Sequence, residues 1–302
     1  MPNWAAVLAE IHGEQALNPT DRVRRKYLRM LSEATHRNVI AYYSGWLHRD
    51  PRMPGLSIGD DDMNGFMAAI HKLDRSKGLD LILHTPGGSL PATESLVDYL
   101  REMFGTNLRA IVPQLAMSAG TMMACACQQI VMGKESSLGP IDPQLGGVPA
   151  RGVLEEFEQA AKEVASDPTR LPLWQSIIGK YHPTFLGECR KACAWSEEMV
   201  QDWLASGMFK SKKNAKSLAR RVAQKLSDHG AQRAHSRHLS MAECEKAGLN
   251  ILKLESDNEL QDLVLTVHHA YMHTFSQTPV NKIVENQNGV AVMLFSGQPN
   301  RA

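Results

Sequence analysis

Residues 79–132 read LDLILHTPGGSLPATESLVDYLREMFGTNLRAIVPQLAMSAGTMMACACQQIVM, and their alternation decides the fold class. Leu79–His84 is a short apolar run, the pattern of a buried strand. The turn TPGGS follows, then Leu90–Phe104 with helical spacing of its apolar residues, and Gly105 supplies a stop. Leu108–Pro113 is a second buried run, Ser118–Cys127 a small-residue helix, and Gln129–Met132 a third strand. Strand, turn and helix repeated at this spacing make βαβ units. The chain is therefore expected in the α/β class, with a largely parallel sheet and right-handed crossovers.

Upstream, residues 1–35 are amphipathic and charged, so a leading helical segment is expected. Asn38–Ser44 (NVIAYYS) reads as a strand, residues 48–62 as a loop, and Met63–Leu73 as a helix. From about residue 150 the pattern is mostly helical: VLEEFEQAAKEVA, LWQSIIGK, FLGECRKACA, SEEMVQDWLAS, KSLARRVAQKLSDHG and LQDLVLTVHHAYMHTF. Gly289–Phe295 (GVAVMLF) closes the chain as a strand. One domain over 36–302 is expected, preceded by the 1–35 segment and carrying a helical insertion at about 150–230. No internal repeat or low-complexity stretch interrupts it.

Composition excludes several classes. The chain has 302 residues, 43% apolar and 22% charged, as an ordinary globular protein does. A formal charge of +1 gives no reason to expect nucleic acid. No apolar run approaches the ~20 residues of a membrane helix. The start MPNWAAVLAEIHGEQ lacks the basic-then-apolar order of a signal peptide. Five cysteines (125, 127, 189, 193 and 244), with no CxxC pair, suggest neither a disulfide framework nor structural zinc. Cys125 and Cys127 sit in an apolar run and read as buried thiols. A cytoplasmic protein is expected.

Two loops carry the chemistry, each between a buried strand and a helix, where α/β sheets bind ligands. In Thr85-Pro86-Gly87-Gly88-Ser89 the paired glycines let backbone amides approach a ligand. In Ala116-Met117-Ser118-Ala119-Gly120 a serine opens a helix, where free N–H groups favour negative charge. Together they offer a nucleophile, Ser118, and an oxyanion hole from the N–H of Gly87 or Gly88 with that of Ala119. Taken alone, each has a plainer reading: a helix cap and a turn. Their ordered pairing on successive βα units favours the chemical one.

These two stretches, extended through MGKESSLGPIDPQLGG, resemble the Clp protease/signal peptide peptidase A (crotonase-like) superfamily, and within it the serine dehydrogenase proteinases. The similarity is strong over 79–147 and weaker over 180–204 and 235–251. It implies a Clp-like βαβ superhelix with a helical C-terminal extension and a serine endopeptidase acting on extended peptides, in itself independent of ATP. It also implies a homo-oligomer with Ser118 as nucleophile and Gly87/Gly88 in the oxyanion turn. It makes ESSLGPIDPQLGG part of the substrate-facing wall.

The general base stays open. Clp proteases carry a histidine where this chain has Asp142, and an aspartate near where it has His235 and Ser236. The serine dehydrogenase proteinase order Ser, Asp, His would fit Ser118, Asp142 and His235 or His238. The signal peptide peptidase branch uses a Ser–Lys dyad, which makes Lys180 a rival and Lys162 a weaker one; His182 stands two residues beyond Lys180. A lysine base needs burial to lose its proton near neutrality, and the flank LWQSIIG offers it. A histidine needs no shift. Each candidate also has a plainer reading as a surface or turn residue.

No metal or other cofactor is expected. His269 and His273 share a helical face, but no HExxH glutamate accompanies them, and there is no GxGxxG fingerprint. The basic run 210–225 (KSKKNAKSLARRVAQK) reads as a solvated amphipathic helix. Two other functions fit the same fold: a non-catalytic binding or assembly protein, and a crotonase-like acyl-CoA enzyme. The serine and the lack of an acidic residue beside TPGGS weigh against the latter.

Overall fold

The structure is a computed structural model, and it describes residues 4–227 and 236–296. Its centre is a seven-stranded sheet whose three inner parallel pairings follow from the βαβ repeats. β1 (Asn38–Ser44), β2 (Leu79–His84), β3 (Leu108–Val112) and β5 (Gln129–Met132) lie side by side in parallel. β10 (Ile251–Lys253) extends the parallel edge beyond β5. On the other side of β1, β11 (Val280–Asn286) and then β12 (Ala291–Phe295) add antiparallel strands. The remaining described strands are two residues long. Among them, β4 (Leu115–Ala116) pairs with β6 (Ser137–Leu138), which pairs with β9 (Leu239–Ser240).

Period-two alternation sorts β2 between two layers. Leu79, Leu81 and Leu83 face a core built with α3 (Asp62–Ile70), α4 (Leu90–Phe104) and α5 (Ala119–Cys125). Ile82 faces the opposite core, against α2 (Pro19–Thr35) and the long helix α11 (Asn258–Gln277). α4 starts where the sequence says it should: the Ser89 hydroxyl accepts the Ala92 N–H at 3.4 Å, and Gly105, at φ 61°, ends the helix.

Three readings needed correction. The leading segment is two helices, α1 (Trp4–Gly13) and α2, with Pro19 at the first position of the second. FLGECRKACA and SEEMVQDWLAS form one helix, α8 (Phe185–Ser206). β11 went unread because its sequence, VNKIVEN, is broken by charged and amide side chains that are all buried. Elsewhere α6 (Ala150–Ser166), α7 (Leu171–Ile178) and α9 (Ala215–Ser227) fill the region after residue 150. α9 buries Ala219, Val222, Ala223 and Leu226 and turns Lys216, Arg220 and Arg221 to solvent. A short helix, α10 (Met241–Ala247), precedes β10. The five cysteines are free and buried. Among the described residues no helix is long and apolar enough to cross a membrane.

His84 ends β2 facing the α11 layer. Its ring lies 4.3 Å from that of Trp46 and 5.2 Å from that of His268, and neither ring nitrogen has a hydrogen-bond partner. Burial pushes His84 well below the ordinary histidine pKa, and burial with nearby His269 and His48 pushes His268 down to about 3. Both are neutral in the fold and titrate near ~6.5 when unfolded. Unfolding therefore takes up protons below that pH, so stability is full above pH ~6.5 and falls as the solution is acidified. At pH 5 the expected loss is about 2 kcal/mol from His268 alone. Urea midpoints at pH 7.5 and 5.0 check this. His268→Gln should lose less than wild type between the two, and an identical loss would contradict the assignment.

Candidate active site

The two loops meet because backbone hydrogen bonds zip them together. Thr85 N–H donates to Leu115 O at 3.0 Å, and Met117 N–H donates to Thr85 O at 3.0 Å. Packing then leaves no room for side chains at the junction. A Cβ on Gly87, whose φ is +99°, would stand 2.7 Å from Ser118 Cβ and 3.1 Å from Ala119 N. A Cβ on Gly120 would stand 2.5 Å from Thr85 Cγ2. Thr121 anchors the other flank: its hydroxyl lies 2.8 Å from Ala116 O and accepts Gly139 N–H at 2.9 Å.

Ser118 occupies the N-cap position of α5 at φ 50°, ψ −115°, a conformation L-residues avoid. Its side chain makes no capping bond, so the helix-cap reading does not describe it. It is half-buried, and it lines a cavity of about 500 Å³. A polar side chain held at positive φ with no cap to make is the arrangement in which strain accompanies function.

The glycine amides divide. Gly87 N–H donates to Thr85 Oγ1 at 3.2 Å. Around Gly88, Ile58 N–H donates to Gly87 O at 2.8 Å, and Ser89 N–H donates to Ile58 O at 2.9 Å. In a strand pairing the carbonyl before a residue and the N–H after it share one side, so Gly88's own N–H faces the other. Among the described residues neither Gly88 N–H nor Ala119 N–H has a hydrogen-bond partner. A Cβ on Gly88 would fall 2.3 Å from Ile58 O, so only glycine allows this approach.

Pro86 and the diglycine form one wall of the cavity, Ile141, Pro143, Gln144 and Leu145 a second, and Ala192 and Trp195 of α8 a third. Trp195 Nε1–H donates to Glu94 Oε1 at 3.1 Å. The 141–145 wall lies within the stretch ESSLGPIDPQLGG. Ile58 and Trp195 were not read as site residues: one sits in a turn-rich loop, the other on an ordinary helical face.

None of the described cavity-lining side chains is ionisable. Asp142 is 1% exposed and lies between the lining residues Ile141 and Pro143. Lys180 is exposed in the turn after α7, a helix that buries none of its own residues, so the apolar flank LWQSIIG does not bury it. Lys162, His182 and His238 are exposed as well, and none of these four lines the cavity. His182 Nδ1 lies 2.9 Å from Thr184 Oγ1. His235 lies outside the described residues. Ile141 N–H donates to Leu226 O at 3.1 Å, and Leu138 pairs with Leu239. His268 and His273 sit in the α11 layer, with His273 Nε2 3.1 Å from Trp4 O. Among the described residues no group of three or more His, Cys, Asp or Glu is arranged to hold a metal ion.

A family model described as ClpP-like SDH-type serine proteinase matches residues 15–279. The chain belongs to this family. The matched span of the ClpP-like SDH-type proteinase takes in the whole of the central sheet except β11 and β12, together with both site loops. The uncharacterized protein MJ0137 of Methanocaldococcus jannaschii is 36% identical over 153 residues, 48% of this chain and 51% of the relative. The uncharacterized protein MJ1495 of the same organism is 32% identical over 160 residues, 52% of this chain and 50% of the relative. The chain spans about half the length of the curated relatives it matches.

Proposed function

We propose that the chain hydrolyses peptide bonds through an acyl-enzyme on Ser118. The observation that carries this is the meeting of a strained, uncapped serine with two unpartnered amides at one cavity. Ser118 Oγ attacks the scissile carbonyl and gives its proton to the base. The carbonyl oxygen becomes an oxyanion held by the N–H groups of Gly88 and Ala119. Collapse breaks the C–N bond, the base returns the proton to the leaving amine, and water then cleaves the ester by the reverse route.

For the base we favour His235, oriented by Asp142. Both described flanks of the 228–235 stretch are tied to residues 138–141, next to the buried Asp142. Lys180 is exposed and lacks the burial a lysine base requires. The proposed substrate is an extended peptide, and a homo-oligomer in the cytoplasm is the proposed setting. The absence of an ionisable group among the described cavity walls favours a second reading, a binding protein of the same fold.

An alkyl fluorophosphonate separates the two. Mass spectrometry should find the adduct on Ser118 of the wild type, formed at an unchanged rate in Lys180→Ala and about 100-fold or more slowly in His235→Ala. A wild type that acquires no adduct at Ser118 leaves the binding reading standing and removes the peptidase.

A further inference from the structure

Behind the diglycine turn lies a buried charged unit that the proposed chemistry does not use. Lys282 of β11 is 3% exposed, and its ammonium donates to Asp62 Oδ1 at 2.8 Å, to Asp62 Oδ2 at 3.0 Å and to Ser57 O at 2.7 Å. Asp62, at the start of α3, also accepts the Tyr42 hydroxyl at 2.7 Å and Gly59 N–H at 3.0 Å. Burial first, then the Asp62 charge, holds the Tyr42 phenol well above its ordinary pKa, while the neighbouring Thr85 hydroxyl pulls the other way.

A buried ion pair is a poor device for stability, since apolar residues of the same size commonly do as well. Its placement suggests another use. The pair grips Ser57 O and Gly59 N–H, the two backbone groups on either side of Ile58. Ile58 in turn binds Gly87 O and Ser89 N–H, the two groups on either side of Gly88. Residues 55–59 belong to no helix or strand of their own, and the bridge to Gly88 is their pairing to the site. On the other side of the turn, the Thr85 hydroxyl accepts Gly87 N–H at 3.2 Å.

We infer that Lys282, Asp62 and Tyr42 are positioning residues that, through Ser57–Gly59, set the Gly88 amide against the oxygen of the attacked carbonyl. This rests on the reading of Ser118 as nucleophile and Gly88 as oxyanion donor. A displaced donor weakens transition-state binding and leaves ground-state binding alone.

The test uses the full chain, an alkyl fluorophosphonate, and the variants Tyr42→Phe, Asp62→Asn and Lys282→Met. Tyr42→Phe removes one hydroxyl and keeps the ring, so it preserves a foldable chain if the other two do not. The maximal rate of Ser118 modification should fall about 10- to 100-fold, with the probe's half-saturating concentration changed less than about twofold. Amide hydrogen exchange should quicken at Ile58, Gly59 and Ser89 while the amides of β3 and β5 keep their protection. Wild-type rates in folded variants, or a change confined to half-saturation, overturn the inference. If wild type itself acquires no adduct at Ser118, the peptidase reading fails, and exchange alone decides. Faster exchange confined to those three amides still supports the hold of Lys282, Asp62 and Tyr42 on the segment that carries Gly88; unchanged exchange, or an equal rise throughout the chain, overturns it.

Discussion

Replacing Ser118 by glycine is expected to erase covalent capture and, at the same time, make the fold more stable. At φ 50° and ψ −115° a residue with a Cβ is strained by roughly 1–3 kcal/mol, and glycine is not. Glycine gives back about 0.4–1 kcal/mol through the greater freedom of its unfolded chain. The hydroxyl makes no capping bond whose loss would offset the gain. The net expectation is a gain of about 1 kcal/mol, a rise of about 2 °C in melting temperature for a chain of this size. Ser118→Ala keeps the Cβ and the strain, so it should lose activity with stability unchanged. Both should lose roughly ten-thousand-fold or more in rate if Ser118 is the nucleophile. Paired melting curves and probe kinetics on the two variants decide the matter. A glycine variant less stable than the alanine one would show that this backbone stores no strain, and retained capture in either would remove Ser118 from the chemistry.

This strain also marks where the sequence is legible and where it is not. β2, the TPGGS turn, α4 and β5 were readable to the residue, because each is set by local periodicity, a cap and a stop. Ser118 was readable as a nucleophile candidate from its place after a strand, though its φ was not. β11 was unreadable because its burial depends on partners far along the chain. Lys282 meets Asp62 across 220 positions, and Glu285 meets Arg24 across 261. Taken alone, a lysine and a glutamate inside a strand argue against the core, and only the fold supplies the counter-charges. The same holds for Ile58, which sits in a segment read as loop yet carries the pairing that fixes Gly88. Lys180 failed in the opposite direction. Apolar neighbours suggested burial, but α7 leaves Leu171, Leu173 and Ile178 exposed, so burial of neighbours could not be inferred from their chemistry.

Glu285 is where that long-range pairing should matter most to stability. Its carboxylate accepts Arg24 Nε–H at 2.8 Å, Arg25 Nε–H at 2.7 Å and the Tyr271 hydroxyl at 3.0 Å, with Arg24 and Glu285 both fully buried. Burial alone would raise the Glu285 pKa, but the two arginines outweigh it and hold the group below the ordinary glutamate range. A depressed carboxylate stabilises the fold above the unfolded pKa of ~4.3 and loses that contribution only as pH falls further, so the network is intact at neutrality. Glu285→Ala leaves Arg24 with Thr274 Oγ1 and Asp21 as its other partners and strands Tyr271. The expected loss at pH 7.5 is about 3–5 kcal/mol. Arg24→Met in the same chain should recover much of it, because the uncompensated cation is then gone. Since β11 also carries Lys282, the single variant should show faster amide exchange along that strand, with Ser118 capture still measurable at low temperature. Urea unfolding of the two single variants and the double one closes the cycle. A loss below about 1 kcal/mol for Glu285→Ala, or no recovery on adding Arg24→Met, would mean that apolar packing around Tyr271, and not the charge network, holds α2 and α11 to the sheet.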